Sequence, residues 1–311
     1  MPGMDKLAAM AAFVDIVEQG SLTGAARARG RSLPTMVRTL ATLEGSLGVR
    51  LLQRTTRRMS LTEEGRDYLE RCRRILAEVA DAEEALVRGQ VEPRGSLRIT
   101  APVLFGQMHV GPSLAGFLRR YPQVKAELLL LDRVVDLVEE GIDVGIRIAH
   151  LDDASMIARP VGEVRRVVCA SPAFLRRQGV PVEPADLADA PCVVFRGLAP
   201  SAKWQFRSGR KRVSVPVAGP IAINQASAAL DACVAGLGFG QFLSYQVADL
   251  VKARKLRIVL PDHEPQAIPV SIVYAHSGLV SPRIREFVQW LREALLAEPS
   301  LRPGGSARSR A

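Results

Sequence analysis

The apolar residues of this 311-residue chain change their spacing once, and that change divides it. Up to Leu86 they recur three and four apart, the repeat of helices that bury one face. From Leu97 onward they come as short runs separated by helical stretches, the pattern of strands alternating with helices. A chain of this length exceeds what one ordinary core organises. The expectation is a helical module followed by a larger α/β domain.

In the first part, Leu7, Met10, Val14 and Val17 predict a helix over residues 5–18, stopped by Gly20. Ser21 can cap a second helix that runs through Ala25, Ala26 and Ala28 to Gly30. Ser32 can cap a third, with Pro34 in its first turn and a buried stripe of Met36, Leu40, Leu43 and Leu47. Three short helices with tight turns make a helix-turn-helix arrangement. Two short apolar runs, 49–54 and 59–61, flank the basic turn Thr55-Thr56-Arg57-Arg58 and read as a β-wing. Thr62 caps a long helix with Glu63 and Glu64 at its positive end. Along it Tyr68, Cys72, Ile75, Val79, Ala82 and Leu86 form a seam at spacings 4, 3, 4, 3, 4. Such a seam is buried against a second copy of the chain or against the chain's own module. Its length, and the break at residues 89–95 that follows, favour a homodimer.

The formal net charge is +10, with most of the cations arginine, a skew that a GC-rich genome also produces. Position is more telling than total. From Arg27 to Arg58 there are eight arginines and one acid, Glu44, a polyanion footprint. Thr35 and Arg38 share a face at the start of the third helix, beside Ser32 and Pro34. Arg38 can donate two hydrogen bonds to guanine or hold a phosphate. Thr23 is a phosphate-contact candidate, and Arg54, Thr55, Arg57 and Arg58 on the wing would hold neighbouring backbone.

In the second part, strands are predicted at 97–100, 124–131, 143–148, 163–170, 192–195, 211–217, 256–259 and 268–274. Helices are predicted at 111–121, 171–178, 225–235, 244–252 and 281–296, in an α/β domain with largely parallel sheet. Ligands of such sheets sit beyond the carboxyl ends of strands. That makes Thr100, Ala101, Pro102, Arg147, Ile148, Phe195, Arg196, Asn224 and Ser227 the candidate ligand residues, each equally readable as a turn or cap. Arg147 and Arg196 would favour a carboxylate. Residues 299–311, basic and rich in Pro, Gly and Ser, read as a disordered tail.

No catalytic constellation emerges. Gly236-x-Gly238-x-Gly240 is not a dinucleotide fingerprint. There is no G-x-S-x-G elbow. His109, His150, His263 and His276 lack metal-ligand spacing with one another or with Cys72, Cys169, Cys192 and Cys233. No metal or cofactor is expected, and the reading is not an enzyme. The N-terminus lacks a signal-peptide pattern, and no apolar run is long enough for a membrane span, so a cytoplasmic location is expected. An α/β enzyme with a helical appendage and a solute-binding transport component are the competing readings. The missing motifs oppose the first, and the basic module with no signal peptide opposes the second.

Several runs resemble the LysR-type transcriptional regulators. They are Met4-Asp5-Lys6-Leu7, Gly20-Ser21-Leu22-Thr23, Ala25-Ala26-Arg27, the stretch from Leu47-Gly48-Val49 to Arg57-Arg58, and Leu61-Thr62-Glu63-Glu64-Gly65. Looser similarities follow at Gly95-Ser96-Leu97-Arg98-Ile99, Tyr121-Pro122, residues 143–147 and residues 235–238. The resemblance implies a sequence-specific DNA-binding regulator: a winged helix-turn-helix at 1–62, a dimerisation helix at 63–92 and an effector-binding α/β domain at 93–298. The last would resemble periplasmic binding proteins, with lobe I at about 93–162 and 268–298 and lobe II at about 163–267, and crossings near 160–165 and 263–269. A small-molecule effector would bind between the lobes. The implied partners are an interrupted palindrome in double-stranded DNA, a second chain or a tetramer of chains, and RNA polymerase. The family's recognition helix commonly begins Ser-Gln-Pro-Ala-Val-Ser-Arg. Here it reads Ser32-Leu33-Pro34-Thr35-Met36-Val37-Arg38, so two often polar positions are apolar and the operator sequence does not carry over.

Overall fold

The computed structural model describes residues 5–54, 59–86, 92–151, 156–197, 202–209, 211–275 and 280–302. The chain divides into two compact units, residues 1–91 and 92–311.

The first unit contains α1 (Lys6–Glu18), α2 (Leu22–Ala28), α3 (Leu33–Leu47), the antiparallel pair β1 (Leu52–Arg54) and β2 (Met59–Leu61), and α4 (Glu63–Leu86). Its helix starts are fixed locally. Asp5 accepts from the Ala8 amide, Ser21 from Gly24, Ser32 from Thr35 and Thr62 from Gly65, each satisfying an N–H that the helix leaves orphaned. Gly20 and Gly30 take left-handed conformations at the two turns, open to glycine without cost from a Cβ. The buried face of α1 is Ala9, Ala12, Phe13, Val14 and Ile16, which shares only Val14 with the predicted stripe. Leu7 is exposed, and Met10 and Val17 sit at the margin. This helix is apolar nearly all round and packs on α2, α3 and α4 together, so spacing alone selects more than one stripe. On α3 the stripe of Met36, Leu40 and Leu43 is buried, whereas Leu47 is exposed beside the left-handed Gly48 cap.

The first turns of the α4 seam belong to this core. Leu69 and Cys72 are buried in it, and the Tyr68 ring lies 5.9 Å from that of Phe13. Cys72 has no exposed surface in a single chain, so the predicted dimer seam loses Tyr68 and Cys72 to the module itself. The reason is proximity: the helix starts where the wing ends and must lie back across α1. Ile75 is exposed and Val79 half-buried, while the side chains of Ala82 and Leu86 lie outside the described residues.

The second unit holds two five-stranded sheets. The first comprises β3 (Gly95–Ala101), β4 (Val124–Leu130), β5 (Val144–Ile148), β6 (Met156–Val164) and β14 (Ile268–Ala275), in the order β4-β3-β5-β14-β6. The second comprises β7 (Arg166–Ala170), β8 (Pro191–Phe195), β11 (Ala218–Ile223), β12 (Phe239–Leu243) and β13 (Arg257–Val259), in the order β11-β8-β12-β7-β13. A separate antiparallel ribbon is formed by β9 (Lys203–Ser208) and β10 (Lys211–Pro216). The helices are α5 (Val103–Phe105), continued by a π-helical stretch Gly106–Val110 into α6 (Gly111–Arg120), then α7 (Pro172–Gln178), α8 (Ala226–Val234), α9 (Ser244–Lys252) and α10 (Pro282–Ala297). The chain passes between the sheets at Arg165 and returns over residues 260–267.

The predicted largely parallel sheet is corrected: two of the four pairings in each sheet are antiparallel. In each, one strand runs against the other four, β14 in the first and β7 in the second. Each reversed strand is the one that follows a crossing. A chain entering a sheet at the edge where it left the other one must run away from that edge.

The predicted tail is also corrected at its start. Pro299–Leu301 forms a 3₁₀ turn, and Leu301 is buried in the first core. Gly162 permits this, since a Cβ there would lie 2.4 Å from the Leu301 carbonyl oxygen. Residues 303–311 lie outside the described ones.

In the first unit, a Cβ on Gly65 would stand 2.0 Å from the Leu51 carbonyl oxygen, which also accepts the Thr62 amide. Gly65→Ala is expected to destabilise the chain by about 1–3 kcal/mol through overpacking. Thermal unfolding measures this; an unchanged midpoint would show that α4 shifts freely on the wing.

Candidate DNA interface and effector cleft

On α3, Thr35 and Arg38 are exposed, as are Ser32, Pro34, Thr23 on α2, and Arg27, Arg31 and Arg50. Met36 and Leu40 anchor the opposite face in the core, so the helix presents one polar side outward. Ser32 is both cap and partner: its hydroxyl lies 2.8 Å from that of Thr35. Val37 is half-buried and Leu33 exposed, which leaves Arg38 as the cation on the α3 face that carries Thr35.

The arginine cluster is partly neutralised from outside its own window. Arg29 pairs through Nε with Asp15 of α1. The one acid inside the window, Glu44, serves the backbone instead: its Oε1 accepts the amides of Leu51 at 2.8 Å and Leu52 at 3.1 Å. It fastens α3 to β1 and leaves Arg27, Arg31, Arg38 and Arg50 to solvent. The strand of Arg54 is described but not its side chain, and Thr55, Arg57 and Arg58 lie outside the described residues.

The effector cleft follows from topology. The crossings leave from the carboxyl ends of β6 and β13, which run with the other forward strands of their sheets. The carboxyl ends of both sheets therefore lie on the sides joined by the connections, at the switch point where open α/β sheets bind ligands. The two connections are clamped together. Arg165 Nη1 donates to both oxygens of Glu264 at 2.7 and 2.8 Å. The Arg165 backbone also exchanges two hydrogen bonds with Ser244 at the end of β12, at 3.0 and 2.8 Å. Burial pushes the Glu264 carboxyl up, and the Arg165 charge opposes that shift. Leu104 packs with the core of the second lobe and Tyr245 with that of the first, so α5 and α9 exchange side chains beside the connections.

Not all predicted ligand residues face this opening. Thr100 and Ala101 are interior, each 1% exposed, and Thr100 Oγ1 donates to the Leu129 carbonyl at 3.1 Å. Phe195 is buried and stacks on Phe242 at 6.1 Å. Arg147 donates to the Val135 carbonyl, holding the turn that covers the outer face of β5, and its burial lowers its pKa. These four are structural. Pro102 and Ile148 are half-buried, Arg196 and Asn224 are exposed at strand ends, and Ser227 is exposed in the first turn of α8. The amide of Val103, which follows Pro102, donates to Asp132 at 3.0 Å.

Sequence reading missed Arg165, Glu264, Ser244 and Asp132, because their partners are remote in the chain. It also missed a cluster beside the connections, where the His109 ring lies 4.8 Å from Phe105 and 5.8 Å from Tyr245. Its Nδ1 is 3.7 Å from Glu298, and burial holds its pKa below the usual histidine value. Among the described residues no group of His, Cys, Asp and Glu is placed to hold a metal. The four cysteines are buried thiols, with Cys192 and Cys233 pushed up to about 12 by burial.

Glu264→Gln is expected to lower the unfolding free energy of the second unit by about 1–3 kcal/mol, because Arg165 keeps its charge and loses its partner. The double variant with Arg165→Met should recover part of that loss in chemical denaturation. Strictly additive losses would show that the clamp couples nothing.

Comparison with known proteins accounts for both units. Residues 7–66 match the bacterial regulatory helix-turn-helix proteins of the lysR family, and residues 90–296 match the LysR substrate binding domain. An HTH-type transcriptional repressor of Pseudomonas aeruginosa strain UCBPP-PA14 is 36% identical over 305 residues, covering 96% of this chain and 95% of that protein. The HTH-type transcriptional regulator DmlR of Escherichia coli K12 is 33% identical, covering 90% and 92%. Among solved structures, CrgA, a LysR-type transcriptional regulator from Neisseria meningitidis, aligns with a TM-score of 0.60 at 29% identity over 93% of this chain and 98% of its own. The full-length Vibrio cholerae virulence activator AphB aligns with a TM-score of 0.59 at 26% identity over 92% and 98%. With a capped helix-turn-helix in front of a two-lobed ligand-binding fold, and with family matches over both, this chain belongs to the LysR-type transcriptional regulators, DNA-binding proteins with an effector-binding domain.

Proposed function

We propose that α3 enters the major groove with Thr35 and Arg38 toward base edges, while Thr23, Ser32 and the wing residues Arg54, Thr55, Arg57 and Arg58 engage phosphates. The observation that carries this reading is the exposed face of α3, where Arg38 stands without an acid partner among the described residues. Arginine at that place reads guanine by paired hydrogen bonds, whereas Leu33 and Val37 offer at most contact with a thymine methyl. The operator is an interrupted palindrome bound by a homodimer or homotetramer. Pairing uses the outer part of α4 at Ile75, Val79, Ala82 and Leu86, the seam beyond the turns that pack on α1. RNA polymerase is a further partner of the bound complex, and the chain acts in the cytoplasm as a regulator rather than an enzyme.

The effector is a small carboxylate held at the carboxyl edges of the sheets. Of the two arginines first considered, Arg147 is engaged on Val135, so Arg196 at the end of β8 carries the recognition, beside Asn224 and Ser227. Asp132 on the Val103 amide sets an opposing charge on the lobe I edge, which directs an anion toward the Arg196 side.

The purified chain should bind the intergenic duplex upstream of its own gene, and binding should respond to one of a panel of small carboxylates and aromatics. Arg38→Ala is expected to weaken specific binding by about 1–3 kcal/mol, and Arg57→Ala to lower the salt slope by about one unit. Arg196→Gln should abolish the carboxylate response and leave ligand-free DNA affinity unchanged. A response kept by Arg196→Gln would place the effector elsewhere.

A further inference from the structure

Outside the N-terminal module, cations collect on the β9–β10 ribbon. Residues 203–216 contain five basic residues and no acid. The inner face of the ribbon, Trp204, Phe206, Val213 and Val215, closes the core of lobe II. That burial forces Lys203, Arg207 and Arg212 to the other face by the two-residue alternation of strands, and Lys211 opens β10 beside them; all four are exposed.

Arg207 and Arg212 stand directly opposite each other in the register, an arrangement of like charges that costs stability. Among the described residues none of the four cations has an ion-pair partner. The acid within one neighbouring turn, Asp186, is engaged by the amides of Val182 at 2.8 Å and Glu183 at 3.1 Å. The other neighbouring turn, Pro261–His263, meets β9 through His263, whose Nδ1 lies 3.1 Å from the Arg207 carbonyl, and its exposed Asp262 forms no ion pair with these cations among the described residues.

We propose that this ribbon is a second polyanion-binding surface and that its occupant is duplex DNA. The proposal rests on the chain's DNA-binding function. Three features favour a nucleic acid over a folded acidic protein. Between the cations the outer face carries the small polar groups of Gln205 and Ser214, bonded to each other at 3.1 Å. It offers none of the apolar or aromatic anchors around which protein interfaces form. Phosphates need only cations and small donors, which is what this face offers. The contact carries no sequence information; it adds affinity and salt dependence.

The test uses the full-length chain with Arg207→Gln, Lys211→Gln and Arg212→Gln, titrated with a long random-sequence duplex across a salt series. The slope of log affinity against log salt should fall by about 2.7, at about 0.9 for each of three lost phosphate contacts. The thermal midpoint should not fall, since the variant also relieves the repulsion between Arg207 and Arg212. An Arg57→Gln chain tests the N-terminal reading separately, with an expected fall of about 0.9. If only the ribbon variant moves the slope, the wing assignment fails and the ribbon surface stands. In a second arm, Arg212→Cys is labelled with a photocrosslinker. The four native thiols are each 0% exposed, so the label reaches the new one selectively. Crosslinks to DNA support the proposal. An unchanged slope without DNA crosslinks overturns it, and so do crosslinks formed only with added RNA polymerase, which would assign the ribbon to a protein.

Discussion

The architecture of the larger unit depends on the way the chain crosses twice between two sheets. Each crossing leaves from a carboxyl end and enters at the facing edge, so β7 and β14 have to run against their neighbours. The same constraint sets the carboxyl ends of the forward strands of both sheets beside the connections, and so creates a place for a ligand. Arg165 and Glu264 lie on the two connections and bind each other through two hydrogen bonds. Charge partly removed from water is costly unless paired, and here the pairing spans 99 residues of sequence. The link joins the segments about which any relative movement of the lobes must occur.

The smaller unit follows another logic, in which short-range bonds settle most of the structure. Caps at Asp5, Ser21, Ser32 and Thr62 start the helices, and the hydrophobic stripe of α3 turns its polar face outward. Electrostatics then depends on which acids are available. Asp15 neutralises Arg29, and Glu44 is taken by two backbone amides. The exposed arginines that remain surround the start of α3. A basic surface results from the engagement of the nearby acids as much as from the number of arginines.

Of the strands that escaped sequence reading, two share a cause, while β9 and β12 were missed without one. β6 and β11 contain Pro160 and Pro220, residues that argue against a strand, yet each strand lies at the edge of its sheet and carries a register shift. Proline is tolerated there because one side of an edge strand needs no ladder bond. Gly219 of β11 is equally contextual, since a Cβ there would meet the Cys192 carbonyl oxygen at 1.7 Å. The α4 seam shows the converse. Its spacing was legible from Tyr68 to Leu86, but spacing does not say what covers a seam, and α1 covers its first turns. The candidate ligand residues divide in the same way. The ends of β3, β5 and β8 were legible to within a residue or two, whereas the predicted strand 163–170 ran across the crossing at Arg165 and the direction of each side chain was not legible. Thr100, Ala101 and Phe195 turn into cores, and Arg147 turns to the Val135 carbonyl.

By itself the sequence determined what local chemistry decides: a helical module with capped starts, a short basic wing, the change to alternating strands and helices at Leu97, and the exposed Thr35 and Arg38 on α3. Caps, turns and periodicities act over a few residues, so their energies are written in neighbouring positions. Tertiary structure alone decided strand direction, edge position, the partner of Arg165, the acids that quiet the arginine cluster, and which cations of the β9–β10 ribbon face outward together. Those outcomes depend on groups far apart in the chain that burial brings within bonding distance, and no local pattern encodes such a distance.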